Sequence, residues 1–128
     1  YDEKAGMFRS YIGEKTYTEF GNALCLSIGL CGEDLAEKIT QGKALKATLA
    51  AAAYVYDGLL SFGKKYEDYV INEIDENYKK MLDAGATSFW ETVEGVEDGD
   101  LSCSLCHGWS ALPIYYYALT GRIKFSKE

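Results

Sequence analysis

Apolar residues recur along this chain at steps of three and four, the period of a helix, and each stretch of that pattern stops at a glycine. The first predicts a helix over 19–30. Phe20, Ala23, Leu24, Ser27, Ile28 and Cys31 fall on its repeat, Thr18 stands at the cap, and Glu19 enters the first turn. Gly29 and Gly32 end it. A second helix is predicted over 33–41, with Leu35, Ala36 and Ile39 on its apolar face and Gly42 as its stop. The strongest pattern covers 45–61 and runs through Thr48, Ala51, Ala52, Val55 and Leu59. Its alanine run, Ala50 to Ala53, has high helix propensity and permits close approach of another helix, and Gly63 closes it. Residues 66–82 place Tyr69, Val70, Ile74, Tyr78 and Met81 at helical steps, with Gly85 as the stop. Acids crowd its first half and Lys79 and Lys80 its last turn, the order that the helix dipole favours. The last helix is predicted over 109–119, with Tyr115 to Tyr117 inside it, Gly121 beyond it, and Pro113 at its first turn or at a kink.

Two stretches fall outside the pattern. Residues 1–17 form an irregular lead-in that contains Gly6 and Gly13. Residues 86–108 hold Thr-Ser-Phe-Trp-Glu-Thr, an acidic glycine-containing loop, and the start of Ser-Leu-Cys-His-Gly-Trp-Ser, which runs on to residue 110. The fold expected from this order is all-α: antiparallel helical hairpins with short links, two clear pairs and then a loop-rich one, in a single domain spanning 1–128. No repeat of fixed period stands out.

Composition narrows the function classes. Thirteen Lys and Arg against twenty Asp and Glu leave a net charge of −7. That disfavours a nucleic-acid partner, which wants a basic face, and docking on anionic lipid. The longest apolar run, Leu49 to Tyr56, is too short for a membrane span, which needs about 18 residues. The N-terminal Tyr-Asp-Glu-Lys shows no signal-peptide pattern, so a cytoplasmic location is expected. The chain does not begin with Met and reads as an excised piece. Eleven Tyr, five Phe and two Trp make it 14% aromatic.

Loops on a rigid scaffold tend to carry function, and the irregular stretch 86–108, with the start of the last helix, holds both tryptophans and the single histidine. Trp90–Glu91 pairs an aromatic face with a carboxylate. That is how proteins hold sugars, the ring stacking on C–H faces while acids and amides take hydroxyls. A carboxylate against aromatic walls also suits acid–base work. The plainer reading is a core Trp beside a helix-start Glu. Glu94, Glu97, Asp98 and Asp100 lack calcium-hand spacing and read as a solvated acidic loop. The four cysteines, at 25, 31, 103 and 106, read as free thiols. Their spacing, with one His in the chain, is a poor zinc pattern, so no metal site is expected. Cys103-Ser-Leu-Cys106-His107 also spells the attachment pattern of a c-type haem, and haem carriage is a distant alternative. A thioredoxin-like reading would need a βαβ pattern, which is absent.

Gly85-Ala86-Thr87-Ser88-Phe89-Trp90-Glu91-Thr92, followed after an acidic insertion by Ser104-Leu105-Cys106-His107-Gly108-Trp109-Ser110-Ala111, resembles the C-terminal part of the catalytic domain of bacterial α-L-rhamnosidases. These are the six-hairpin enzymes of glycoside hydrolase family 78. The resemblance covers residues 17–121 and implies part of an (α/α)6 toroid. It implies that Glu91 is the general base of an inverting hydrolysis, that His107 contacts the sugar, and that Trp90 and Trp109 line the pocket. No cofactor is implied, and the partner is a carbohydrate ending in a sugar such as rhamnose. The family's general acid sits in an upstream motif that residues 1–80 do not match. The isolated chain is therefore expected to be inactive and to associate with itself through faces the missing hairpins would cover. The competing class is a non-catalytic helical domain that binds carbohydrate or another protein.

Overall fold

Thr18 starts the first helix as its side chain predicts: Oγ1 accepts the Gly21 N–H at 3.2 Å. The chain is seen here in a computed structural model that describes residues 1–96, 103–124 and 126. Its helices are α1 (Glu19–Ser27), α2 (Glu33–Thr40), α3 (Leu49–Leu60), α4 (Glu67–Asp83) and α5 (Leu112–Leu119). Single 3-10 turns lie at Lys64–Tyr66 and Gly108–Ser110, and no strand occurs among the described residues, so the fold is all-α. No described helix is long and apolar enough to cross a membrane. The chain divides into two compact units, Tyr1–Tyr66 and Glu67–Glu128.

In the first unit, α1 ends at Ser27 rather than at residue 30. Gly29 takes φ +68° and donates to Leu26, while Leu30 N–H returns to the Cys25 carbonyl at 3.0 Å, which closes the helix end. Gly32 is the N-cap of α2, ahead of Glu33 and Asp34 in its first turn. The largest difference from the sequence pattern is at α3, which begins at Leu49 and not at residue 45. Leu45 is held extended beside the entry to α1: its N–H donates to Tyr17 O at 2.8 Å, and its carbonyl accepts from Glu19 N at 2.9 Å. Helix α1 packs chiefly against α3 and next against α2. Gly58 lies at this contact, where a Cβ would stand at van der Waals distance, 3.4 Å, from the Ala23 carbonyl oxygen. Ala23, Leu26, Leu35, Ile39, Leu49, Val55 and Leu59 form the buried core of this unit. Burying one such aliphatic side chain contributes about 1.5–3 kcal/mol.

The lead-in has no helix, as expected, yet it is firmly tied. Asp2 accepts the N–H groups of Lys4 and Ala5, both at 3.1 Å. It also takes Arg9 Nη2 at 2.7 Å and the Tyr17 hydroxyl at 2.8 Å. The Arg9 guanidinium first, and then the Tyr17 hydroxyl, hold its carboxyl far below the usual aspartate range. Buried Asn22 of α1 grips Phe8 from both sides, with Oδ1 taking its N–H at 2.8 Å and Nδ2 donating to its carbonyl at 3.1 Å.

The second unit is built on α4, whose Val70, Ile71, Ile74 and Met81 are buried. Helix α5 begins at Leu112 because residues 108–110 form a tight 3-10 turn, and Pro113 sits in its first turn, where a missing N–H costs nothing. Tyr116 of α5 is buried, the Tyr117 hydroxyl donates to Asp75, and Arg122 Nη2 reaches Asp68 at 2.6 Å.

Candidate functional site

The residues singled out by chemistry lie on two irregular segments of the second unit, and backbone hydrogen bonds draw those segments together. Glu91 N–H donates to the Ser104 carbonyl at 2.8 Å, and His107 N–H donates to the Phe89 carbonyl at 2.7 Å. Two steps along one segment match three along the other, so the pairing carries one extra residue on the 104–107 side, as in a bulge. Ser104 fills the extra length. Its hydroxyl accepts the Cys106 N–H at 3.2 Å and donates to the Cys106 carbonyl at 3.0 Å. The Ser88 hydroxyl ties the segments once more, donating to the Leu105 carbonyl.

Glu91 is half-buried, and its carboxylate Oε2 accepts the Ser104 N–H at 2.8 Å. Ser104 is therefore bound to Glu91 through both its N–H and its carbonyl. A charge-assisted bond of this kind fixes a carboxylate more firmly than a bond between neutral groups. His107 lies face to face with Trp109, ring centroids 3.8 Å apart and planes 19° from parallel. His107 Nδ1 is buried and has no hydrogen-bond partner among the described residues. Trp109 is 50% exposed and offers an open aromatic face. Trp90 turns to its own loop. It packs on Gly95, where an added Cβ would come within 2.5 Å of the indole, and Gly95 itself takes φ +70°.

The structure thus brings the backbones of Glu91 and His107 onto one paired unit and stacks His107 on Trp109. Trp90 packs against Gly95, and Ser104, not His107, engages Glu91 Oε2. Ser104 and Ser88 are the residues that sequence reasoning left without a role. Both stand inside the quoted motifs, but the signal for their part is a pairing across the acidic loop, which periodicity does not encode. Of that loop, Glu94 is exposed, while Glu97, Asp98 and Asp100 lie outside the described residues.

A cleft of about 390 Å³ opens next to this unit, lined by Tyr78, Met81, Ser88, Phe89, Pro113 and Tyr117 among others. Glu91, His107 and Trp109 are not in its wall. Its phenol hydroxyls are already engaged: Tyr78 donates to the Ser110 carbonyl, and Tyr117 to Asp75. Burial pushes both phenols up to about 12, so they remain neutral donors at physiological pH. The cleft is apolar in character, with Tyr78 and Phe89 edge to face at 6.0 Å.

No group of three or more His, Cys, Asp or Glu among the described residues is placed to hold a metal ion. Cys103, Cys106 and His107, the three positions of the haem-attachment pattern, lie in irregular chain with all four thiols free. No protein-family model, curated protein or solved structure matches the chain.

Proposed function

We propose that this chain is the C-terminal part of the catalytic domain of an inverting glycoside hydrolase, similar to the α-L-rhamnosidases, with Glu91 as general base. One observation carries the reading: a half-buried carboxylate and a Trp-stacked histidine are joined on one small paired unit. In this mechanism Glu91 takes a proton from a water that attacks the anomeric carbon from the face opposite the leaving group. A second carboxyl, outside this chain, protonates the departing oxygen. The two would stand ~6.5–9.5 Å apart to admit the water. The Ser104 N–H holds one oxygen of Glu91, and this leaves the proton transfer to the other. Trp109 offers a stacking face to the sugar ring, and His107, its plane set by that stack, offers a ring nitrogen to a hydroxyl.

The helices would then be hairpins of an (α/α)6 toroid. Exposed Ile12, Ile28 and Leu30 in the first unit, and Ile114 and Leu119 in the second, are the kind of apolar surface that further hairpins would cover. Alone, the chain should be inactive and self-associating, and light scattering at rising concentration should show a mass above the monomer's.

The deciding experiment assays the full-length protein on a panel of aryl glycosides that includes an α-L-rhamnoside, beside its Glu91→Gln variant. Gln keeps the shape and removes the base. Cleavage of one sugar by the parent, with ~10²-fold or greater loss in the variant, is the expected result. Equal rates would remove Glu91 from the chemistry. The position of the aromatic cleft away from Glu91 favours one second reading, a domain that binds carbohydrate without cleaving it. Binding without turnover on the whole panel would select that reading.

A further inference from the structure

Two thiols bracket the residue that holds Glu91. Cys103 is half-buried and receives the Thr92 hydroxyl at 4.0 Å, while Cys106 is exposed. Between them the chain is folded back on itself by the two Ser104–Cys106 hydrogen bonds. No group of three or more His, Cys, Asp or Glu gathers around the two thiols among the described residues. Cys25 and Cys31 form a second pair, six residues apart and both only half-exposed. Cys25 sits inside α1, and burial pushes its thiol up, so less of it is in the nucleophilic thiolate form.

We propose that Cys103 and Cys106 are a covalent modification site, a dithiol that closes to an intrachain disulfide at the expense of a small organic disulfide such as glutathione disulfide. The exposed Cys106 sulfur attacks one sulfur of the small disulfide. That S–S bond breaks, a Cys106–glutathione bond forms, and one glutathione leaves. The Cys103 sulfur then attacks the Cys106 sulfur, and the second glutathione leaves. Two cysteine thiols are oxidised by two electrons and one small disulfide is reduced to two thiols, which carry away the two thiol protons. Closure ties off the turn that presents the Ser104 N–H to Glu91. The consequence for Glu91 rests on the function proposed above, whereas closure itself does not.

The two cysteine pairs separate on tryptic digestion, because no Lys or Arg lies within 81–121 or within 16–37. Cys103 and Cys106 fall in the peptide Met81–Arg122, and Cys25 and Cys31 in Thr16–Lys38. The folded chain is exposed to glutathione disulfide, its remaining thiols are alkylated, and both peptides are weighed. Met81–Arg122 should lose two hydrogens and take no alkyl label, while Thr16–Lys38 stays fully alkylated. The Cys103→Ser variant should keep one glutathione on Cys106, and Cys106→Ser should form no intrachain disulfide. Closure of Thr16–Lys38 at an equal or faster rate would overturn the proposal. So would a Met81–Arg122 peptide that stays fully alkylated or stops with glutathione attached. A Cys103→Ser chain that takes no glutathione would overturn the order of attack. None of these readouts depends on hydrolysis, so failure of the glycosidase reading stays distinguishable.

Discussion

In residues 1–66 three buried polar side chains, Asp2, Asn22 and Glu19, act as structural fasteners, whereas in residues 67–128 the Glu91 carboxylate is engaged on one side only. Asp2 takes five donors, Asn22 engages both the N–H and the carbonyl of Phe8, and buried Glu19 accepts the Ala47 N–H at 3.0 Å with Lys46 at 3.2 Å. In the second unit one hydrogen bond among the described residues holds the Glu91 carboxylate, while buried atoms with no hydrogen-bond partner occur in both units, at the Tyr66 hydroxyl in the first and at His107 Nδ1 and Ser110 Oγ in the second. Saturated polar groups rigidify a fold and have no capacity left for a ligand. A group held by one contact keeps that capacity, so the contrast marks the Glu91 carboxylate as the place to look for chemistry.

The strongest challenge to this contrast is Leu59→Ala. Leu59 is fully buried in the first unit, and its truncation should cost about 2–5 kcal/mol, read by denaturant unfolding followed through hydrogen exchange of α1 and α3. A loss under about 1 kcal/mol would mean that packing is not what holds this unit. In the second unit, Gly95→Ala sharpens the comparison at smaller energy. A left-handed backbone at Ala costs about 1–2 kcal/mol, and the new methyl drives Trp90 off its seat. Tryptophan emission should shift to the red, and an unchanged spectrum would show that the loop does not fix Trp90.

The smallest effect is a pH dependence at Asp2. Its native carboxyl stays ionised where an unfolded aspartate, near pKa ~3.9, takes up a proton. The unfolded state therefore binds more protons, and the stability Asp2 provides is present above that value and lost as pH falls through it toward the native one. Asp2→Asn should lower stability at neutral pH and flatten its decline on acidification. Parallel acid limbs in variant and parent would deny Asp2 its role as the fastener of the lead-in.

The helices were readable because their signals are local. Thr18 caps, Gly29 and Gly42 adopt the left-handed conformation that stops a helix, and the apolar steps of 66–82 match α4 closely. The start of α3 was not readable. Leu45 fits a helical period, but it is held extended by Tyr17 and Glu19, partners more than twenty positions away. The site shows the same division. Glu91, His107 and Trp109 stood out by residue type and motif, while the part played by Ser104 depends on a register set across the acidic loop. Trp90 stood out equally, yet the structure gives it Gly95 for a neighbour, a contact that follows from the turn at Gly95 and not from its letter in the motif.

The double link between Glu91 and Ser104 also bears on how such a chain can change. It pins both ends of the stretch 92–103, twelve positions whose number the pairing itself does not dictate. Doubling the length of a loop with fixed ends costs only about 0.6 kcal/mol of closure entropy. Insertions that keep Gly95 under Trp90 and Cys103 beside Thr92 would leave the carboxylate and the histidine in register. Added length of that kind costs the fold little, and it is the natural place for an engineer to append recognition elements beside the site.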